Sequence, residues 1–231
     1  MRTRFATQRL LSLAAFICLA SSGFAQGTVD MTLTSAGNNI LGPAYVGPYY
    51  ATVGSETNVA IICDDFADES YVGQNWTADV FNVANLGAGG QTWMETKGVT
   101  QQEYSEAAWL AEQLIDPTSI TCLSGVDCAG DIQYAIWQLF DPQGNPLQYL
   151  SGNDLTTASN ALTQATTLAA NMPLSDFSNV TVYSPAGGGP PQEFLSVNTP
   201  EPSFLALFGV DLPALLIVVF LIRRRRAGAT R

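Results

Sequence analysis

Val59-Ala60-Ile61-Ile62-Cys63-Asp64-Asp65-Phe66 is an apolar, β-branched run that stops abruptly at two carboxylates. A run this short and this branched predicts a buried strand ending at Cys63. Toward the N-terminus, Val29 to Thr34 alternates apolar and polar residues, which predicts an edge or half-buried strand. Gly42-Pro43 and Gly47-Pro48 then break the chain into turns around Tyr45, Tyr49 and Tyr50. Toward the C-terminus the period changes to that of helices. Thr100 and Glu103 form a capping box, followed by Tyr104, Ala107, Ala108, Ala111, Leu114 and Ile115 at helical spacing, with Asp116-Pro117 as the stop. Asp131 is expected to cap a second helix that buries Ile132, Ala135, Ile136, Leu139 and Phe140 and ends at Asp141-Pro142. A third helix is expected from Asp154 to Met172. Strands return at Val180–Tyr183 and Glu193–Val197, separated by the Gly- and Pro-rich loop 186–191. No internal repeat is present. The order predicts an α+β domain: a β-framework, sandwich or barrel, built from both ends of the chain with a helical block inserted.

Both termini read as targeting segments. Arg2, Arg4 and Arg9 flank a basic start, Leu10 to Ala20 is apolar, and Gly23-Phe24-Ala25 offers a small-residue cleavage site. That is the layout of a secretory signal peptide, residues 1–25, whose apolar run is too short to span a bilayer. Cys18 follows Ile17 rather than a small residue, is a poor lipoprotein cysteine, and is expected to leave with the signal. At the other end, Ser203 to Ile222 is mostly apolar; its roughly 20 residues make a helix of about 30 Å, enough to cross the hydrocarbon core. Arg223, Arg224, Arg225 and Arg226 follow it, and the positive-inside rule keeps them, with the tail 227–231, cytoplasmic. Asp211 and Pro213 interrupt the apolar run, as a transient sorting signal tolerates better than a permanent anchor does.

Pro200-Glu201-Pro202, the hydrophobic helix and the arginine cluster, in that order over 200–226, resemble the PEP-CTERM sorting tail of Gram-negative bacteria. The resemblance implies an exosortase-type sorting enzyme as partner and cleavage near Pro200. It also implies delivery to the cell surface or an extracellular polysaccharide matrix such as a biofilm. An ordinary single-pass anchor is the alternative; it accounts for the helix and the arginines but not for Pro200-Glu201-Pro202.

Between the two ends the charge is one-sided. Of the 20 acids only Glu201 and Asp211 lie beyond residue 199, and of the nine bases only Lys97 lies between 26 and 199. An acidic domain of this kind is no partner for nucleic acid, which needs a cationic surface. The chain has no histidine, which excludes Ser-His-Asp and Cys-His nucleophile systems and His-ligated zinc. No glycine-rich phosphate loop is present, and no cofactor is expected. The body, about 170 residues, suits one domain with a sizeable core.

Three cysteines remain in the exported chain: Cys63, Cys122 and Cys128. Export favours disulfides, and Cys122 and Cys128 bracket a short loop that closes easily. If they pair, Cys63 is left over, either as a buried structural thiol or as a reactive one. Ile62-Cys63-Asp64 together with Ile132-Gln133-Tyr134-Ala135-Ile136-Trp137 resembles the thioester domains of bacterial surface adhesins. In that family a cysteine after a strand is joined to a glutamine in a hydrophobic-Gln-x-x-hydrophobic-aromatic motif. Ile132, Gln133, Ile136 and Trp137 match it place for place. Ile62 departs from the aromatic that often precedes the family's cysteine.

The resemblance extends over residues 40–185 and sets the domain at 26–185, with a linker and last strand at 186–199. It implies a Cys63–Gln133 thioester bordered by Tyr134 and Trp137, open to one nucleophile per molecule. That nucleophile would be a surface or matrix amine, or more slowly a hydroxyl. The protein would then be an adhesin, not an enzyme in the turnover sense. The alternative is a noncovalent structural or carbohydrate-binding component of a polysaccharide matrix. Asp64, Asp65, Asp68 and Glu69 form an acidic cluster, read as a solvated turn, with calcium binding or a glycosidase pair as weaker readings. Tyr45, Tyr49, Tyr50 and Trp76 are candidates for stacking on sugars or for core packing.

Overall fold

A computed structural model of the protein describes residues 27–88 and 90–198. The signal peptide, Pro200-Glu201-Pro202, the hydrophobic segment and Arg223 to Arg226 lie outside the described residues. Within them, no helix is long and apolar enough to cross a membrane.

The fold is α+β. Its strands are β1 (Thr28–Ser35), β2 (Ile40–Leu41), β3 (Ala44–Tyr45), β4 (Tyr49–Val53), β5 (Glu56–Cys63), β6 (Asn75–Asn82), β7 (Val180–Pro185) and β8 (Phe194–Val197). Its α-helices are α1 (Trp93–Thr96), α2 (Gln101–Ile115), α3 (Cys128–Phe140) and α4 (Gly152–Leu168). Six strands close an antiparallel barrel in the order β1-β4-β5-β8-β7-β6, while β2 and β3 form a separate hairpin. β1 pairs with both β4 and β6, so Val29 to Thr34 is a half-buried strand inside a closed sheet and not an edge. Closure leaves no row of unpaired backbone groups for another chain to extend. Residues 186–199, which the sequence sets apart as a linker and last strand, supply β8, placed between β5 and β7.

Strand alternation divides the apolar side chains between two cores. Met31, Leu33, Ala51, Val53, Ile61, Cys63, Ala78, Tyr183 and Phe194 form one cluster, with contributions from all six barrel strands, and so occupy the barrel interior. Ile62, Phe81, Val182 and Leu195 face the other way and pack with α2 and α3. Helix α3 serves both: Ile132, Ala135, Ile136 and Leu139 join the helical core, whereas Tyr134 and Trp137 join the barrel core.

The helix boundaries follow local chemistry. At α2 the Thr100 hydroxyl accepts from the Glu103 N–H, and the Glu103 carboxylate accepts from the Thr100 N–H, which completes the expected capping box. At α3 the cap is Asp127, whose carboxylate accepts from the Gly130 N–H, and not Asp131. A disulfide between Cys122 and Cys128, with Cα atoms 5.6 Å apart, ties the first residue of α3 to the preceding loop and favours the longer helix. Asp131 and Gln133 are thereby moved from the helix start into its body.

If β8 is an integral strand, truncating its fully buried Leu195 must cost what a core leucine costs. We expect Leu195→Ala to lower stability by about 2–5 kcal/mol, measured by urea denaturation. A loss under about 1 kcal/mol would show that β8 is dispensable to the barrel.

Candidate thiol–carboxamide site

Cys63 ends β5 and Gln133 lies in the second turn of α3; neither has any exposed surface. The Gln133 Nε2 donates to the backbone carbonyl oxygen of Cys63. An acceptor on the strand fixes which end of the amide faces it, because two oxygens would repel there. The Gln133 Oε1 is left buried with no donor. A Cβ on Gly47 would come within 2.6 Å of that oxygen, so a larger residue there would push the carboxamide out of place. Gly130 is similarly constrained: a Cβ there would lie 3.0–3.2 Å from Val46, Leu41 and Asp127. The segment running through the β2–β3 hairpin to Gly47 therefore straps across α3. The Tyr134 hydroxyl fastens it by donating to the Leu41 carbonyl at 2.8 Å.

The Cys63 thiol is free, buried, and donates to the Asp65 carbonyl at 3.2 Å. Burial pushes its pKa well up, the carboxylates of Asp64 and Asp65 add to the rise, and the Trp137 indole opposes it. Aromatic rings close the site. Trp137 meets Tyr134 edge-on at 5.0 Å between centroids and Phe66 at 5.1 Å, and Tyr49 meets Phe194 edge-on at 6.2 Å. Tyr49 is itself shifted well upward, by burial first and then by Cys63 and Tyr134. Burial and these rings keep both the Cys63 thiol and the Gln133 carboxamide from water.

Outside this seal lies a cleft of about 510 Å³ whose floor includes Tyr49, Trp137 and Phe194. Tyr45, Tyr71 and Tyr149 stand exposed at its rim, with Asp68 and Glu69 alongside. Of the aromatics considered for sugar stacking, only Tyr45 is strongly exposed; Tyr49 is core, and Tyr50 and Trp76 are half-buried.

The acidic cluster is not a solvated turn throughout. Asp64 and Asp65 are fully buried, which removes both from any role in flanking a saccharide. Asp65 accepts from the Ala67 and Asp68 N–H groups at 3.1 and 3.2 Å. Lys97 Nζ lies 2.8 Å from Asp68 Oδ2, 3.3 Å from Asp65 Oδ2 and 4.8 Å from the Trp93 ring centroid. Burial alone would lower the Lys97 pKa, but Asp68 and Asp65 outweigh it and raise it. The lysine is thus held in its protonated form, which weakens it as a nucleophile. Among the described residues no group of three or more acidic or thiol side chains is placed to hold a metal ion.

Sequence reasoning missed Glu193, which braces the site from behind. Its carboxylate accepts from Ser184 Oγ at 2.6 Å, from the Trp93 and Met94 N–H groups at 3.0 and 3.4 Å, and from the Tyr104 hydroxyl. Asp64 faces this carboxylate with no donor of its own, and burial followed by Glu193 and Asp65 pushes its pKa well up. Burial raises the Glu193 pKa as well, against the pull of the donors from Ser184, Tyr104, Met94 and Trp93. The interaction joins β8, α1 and α2 behind the end of β5. No sequence-local pattern pairs residues so far apart; a lone acid inside an apolar strand was the only signal.

Asp131 is fully buried, with no hydrogen-bond donor formed to either carboxyl oxygen. Burial first, then Asp154 and Asp127, raise its pKa to about 7, and the nearby Thr157 hydroxyl opposes them. A carboxyl raised on folding binds more protons in the native state, so stability falls as pH rises from about 4 to about 7. We expect Asp131→Asn to flatten this slope and to raise the melting temperature more at pH 7.5 than at pH 5. An equal change at both values would contradict the assignment.

No family model matches the sequence, and no curated protein matches it. Among solved structures, the chain is similar to the N-terminal domain of the Streptococcus pyogenes pilus tip adhesin Cpa, with a TM-score of 0.42 and 16% identity, covering 77% of this chain and 95% of that one. It is also similar to the N-terminal thioester domain of the fibronectin-binding protein SfbI from Streptococcus pyogenes, with a TM-score of 0.44 and 11% identity, covering 76% and 95%.

Proposed function

We propose that the protein is an exported surface or matrix adhesin that captures one nucleophile per molecule through a thioester between Cys63 and Gln133. The observation that carries the reading is the Gln133 carboxamide, fully buried and hydrogen-bonded to the backbone of a fully buried free cysteine. A buried glutamine with an unpartnered oxygen and a buried leftover thiol each call for explanation. A single reaction accounts for both. Thiol addition to the Gln133 Cδ expels ammonia and leaves an acyl–sulfur bond shielded by Trp137, Tyr49 and Phe194.

The target approaches by the cleft above those rings. Asp68 and Glu69 at the rim disfavour anionic partners, and the protonated, ion-paired Lys97 does not compete from within. The end of the chain, with its sorting-signal order, fits delivery outside the cell by an exosortase-type enzyme. A second reading, reversible saccharide binding in the same cleft, is favoured by the exposed Tyr45, Tyr71 and Tyr149. The two differ in what Cys63 does.

Incubation with a labelled small amine separates them. We expect stoichiometric, denaturation-resistant labelling at Gln133, lost in Cys63→Ala while the unfolding transition is retained. Labelling that persists in Cys63→Ala would rule out the thioester. Absence of labelling in the wild type, with reversible retention on polysaccharide, would favour the second reading.

A further inference from the structure

Two unpartnered polar groups lie in the barrel core next to Cys63. The Trp137 indole N–H has no acceptor, and the Gln133 Oε1 has no donor. Trp137 is 2% exposed and Gln133 is fully buried. A buried donor left unmade is costly, and a pair of such groups at one spot marks a site kept ready for a different charge distribution. The two residues stand four apart on α3, one turn from each other on the same face. Trp137 shares its cluster with Cys63 and Tyr134. The thiol proton is directed to the Asp65 carbonyl at 3.2 Å, which leaves the sulfur lone pairs free to accept. The Trp137 indole favours ionisation of this sulfur, although its N–H makes no hydrogen bond while the thiol is at rest. Catalytic hydrogen bonds often stay long until charge develops.

We propose that the Trp137 Nε1–H is the donor that stabilises the Cys63 thiolate, first as it attacks Gln133 Cδ and again as it departs during capture. This rests on the thioester reading. In formation, the S–H bond breaks, the Sγ–Cδ bond forms, the Cδ–Nε2 bond breaks, and the thiol proton leaves with the nitrogen as ammonia. In capture by an amine, an N–Cδ bond forms, the Sγ–Cδ bond breaks, and a proton from the amine returns to the sulfur. Neither step needs an oxidant or a reductant.

The remaining titratable groups near the sulfur cannot do this work. Asp64 and Asp65, on the segment after β5, disfavour the thiolate, and Tyr49 on β4 and Tyr134 on α3 carry pKa values raised by burial. Lys97, the one cationic side chain among the described residues, is engaged by Asp65 and Asp68. The aromatic body of Trp137 seals the site, and its N–H acts on the chemistry. The two roles are separable by substitution.

The test compares wild-type protein with Trp137→Phe, which keeps an aromatic seal and removes the donor. Thioester formation after refolding is followed by intact mass, and opening by methylamine is followed by thiol release, each across a pH series. We expect both rates to fall by about tenfold or more, the loss of a hydrogen bond to a charged group. The pH profile of formation should also move upward, which a merely structural role would not produce. Should Trp137→Phe fail to fold, 3-benzothienylalanine at position 137 gives the same comparison, its shape being that of tryptophan with sulfur in place of N–H. Unchanged rates and an unchanged profile in a variant that folds would overturn the proposal while leaving the thioester intact. A wild type that never loses ammonia would instead sink the thioester reading, and this proposal with it.

Discussion

The Gln133 Nε2 donates to the carbonyl of Cys63 and so joins the body of a helix to the end of a strand in a place without water. Much of the surrounding structure is arranged around that bond. The Cys122–Cys128 disulfide fixes where α3 begins, and with it the turn that carries Gln133. The strap through Gly47 passes so close over the carboxamide that a side chain at position 47 would displace it. Behind the strand end, Glu193 gathers donors from β7, α1 and α2. A buried polar contact of this kind is held in place only when every surrounding element is fixed.

The division into two cores decides which side chains reach the site. Because strand residues alternate, Cys63 belongs to the barrel interior while its neighbour Ile62 belongs to the helical core. Helix α3 bridges the two, so its Gln133, Tyr134 and Trp137 reach the barrel mouth, where aromatic rings separate the thiol from the cleft. Asp68 and Glu69 border the cleft, and Lys97, the one lysine among the described residues, is ion-paired with Asp65 and Asp68.

The elements with strong local signals were legible in the sequence: β5 from its β-branched run, α2 from its capping box, and the α+β order from the change of period. β1 was placed correctly but taken for a possible edge, since nothing local reveals that β6 closes the sheet against it. β4 is short and follows two Gly-Pro breaks, which hide it, whereas β6 alternates Trp76, Ala78 and Val80 with Asn75, Thr77 and Asp79, a strand period that was legible and went unread. Asp127 rather than Asp131 caps α3, a choice settled by the disulfide at Cys128 that intrinsic capping preference does not register. Cys63, Gln133 and Trp137 stood out by residue type and motif. Gly47, Tyr104 and Glu193 did not, because their roles depend on approaches between residues far apart in the chain. The acids Asp64 and Asp65 looked like surface residues and are buried, one facing Glu193 and the other paired with Lys97.

A peptide mass map of the unreduced protein, prepared without added nucleophiles, tests the central claim most directly. The account predicts that the peptides containing Cys63 and Gln133 appear joined and lighter by one ammonia than their sum. Separate peptides of full encoded mass, with Cys63 open to alkylation after denaturation and Gln133 unmodified, would contradict it.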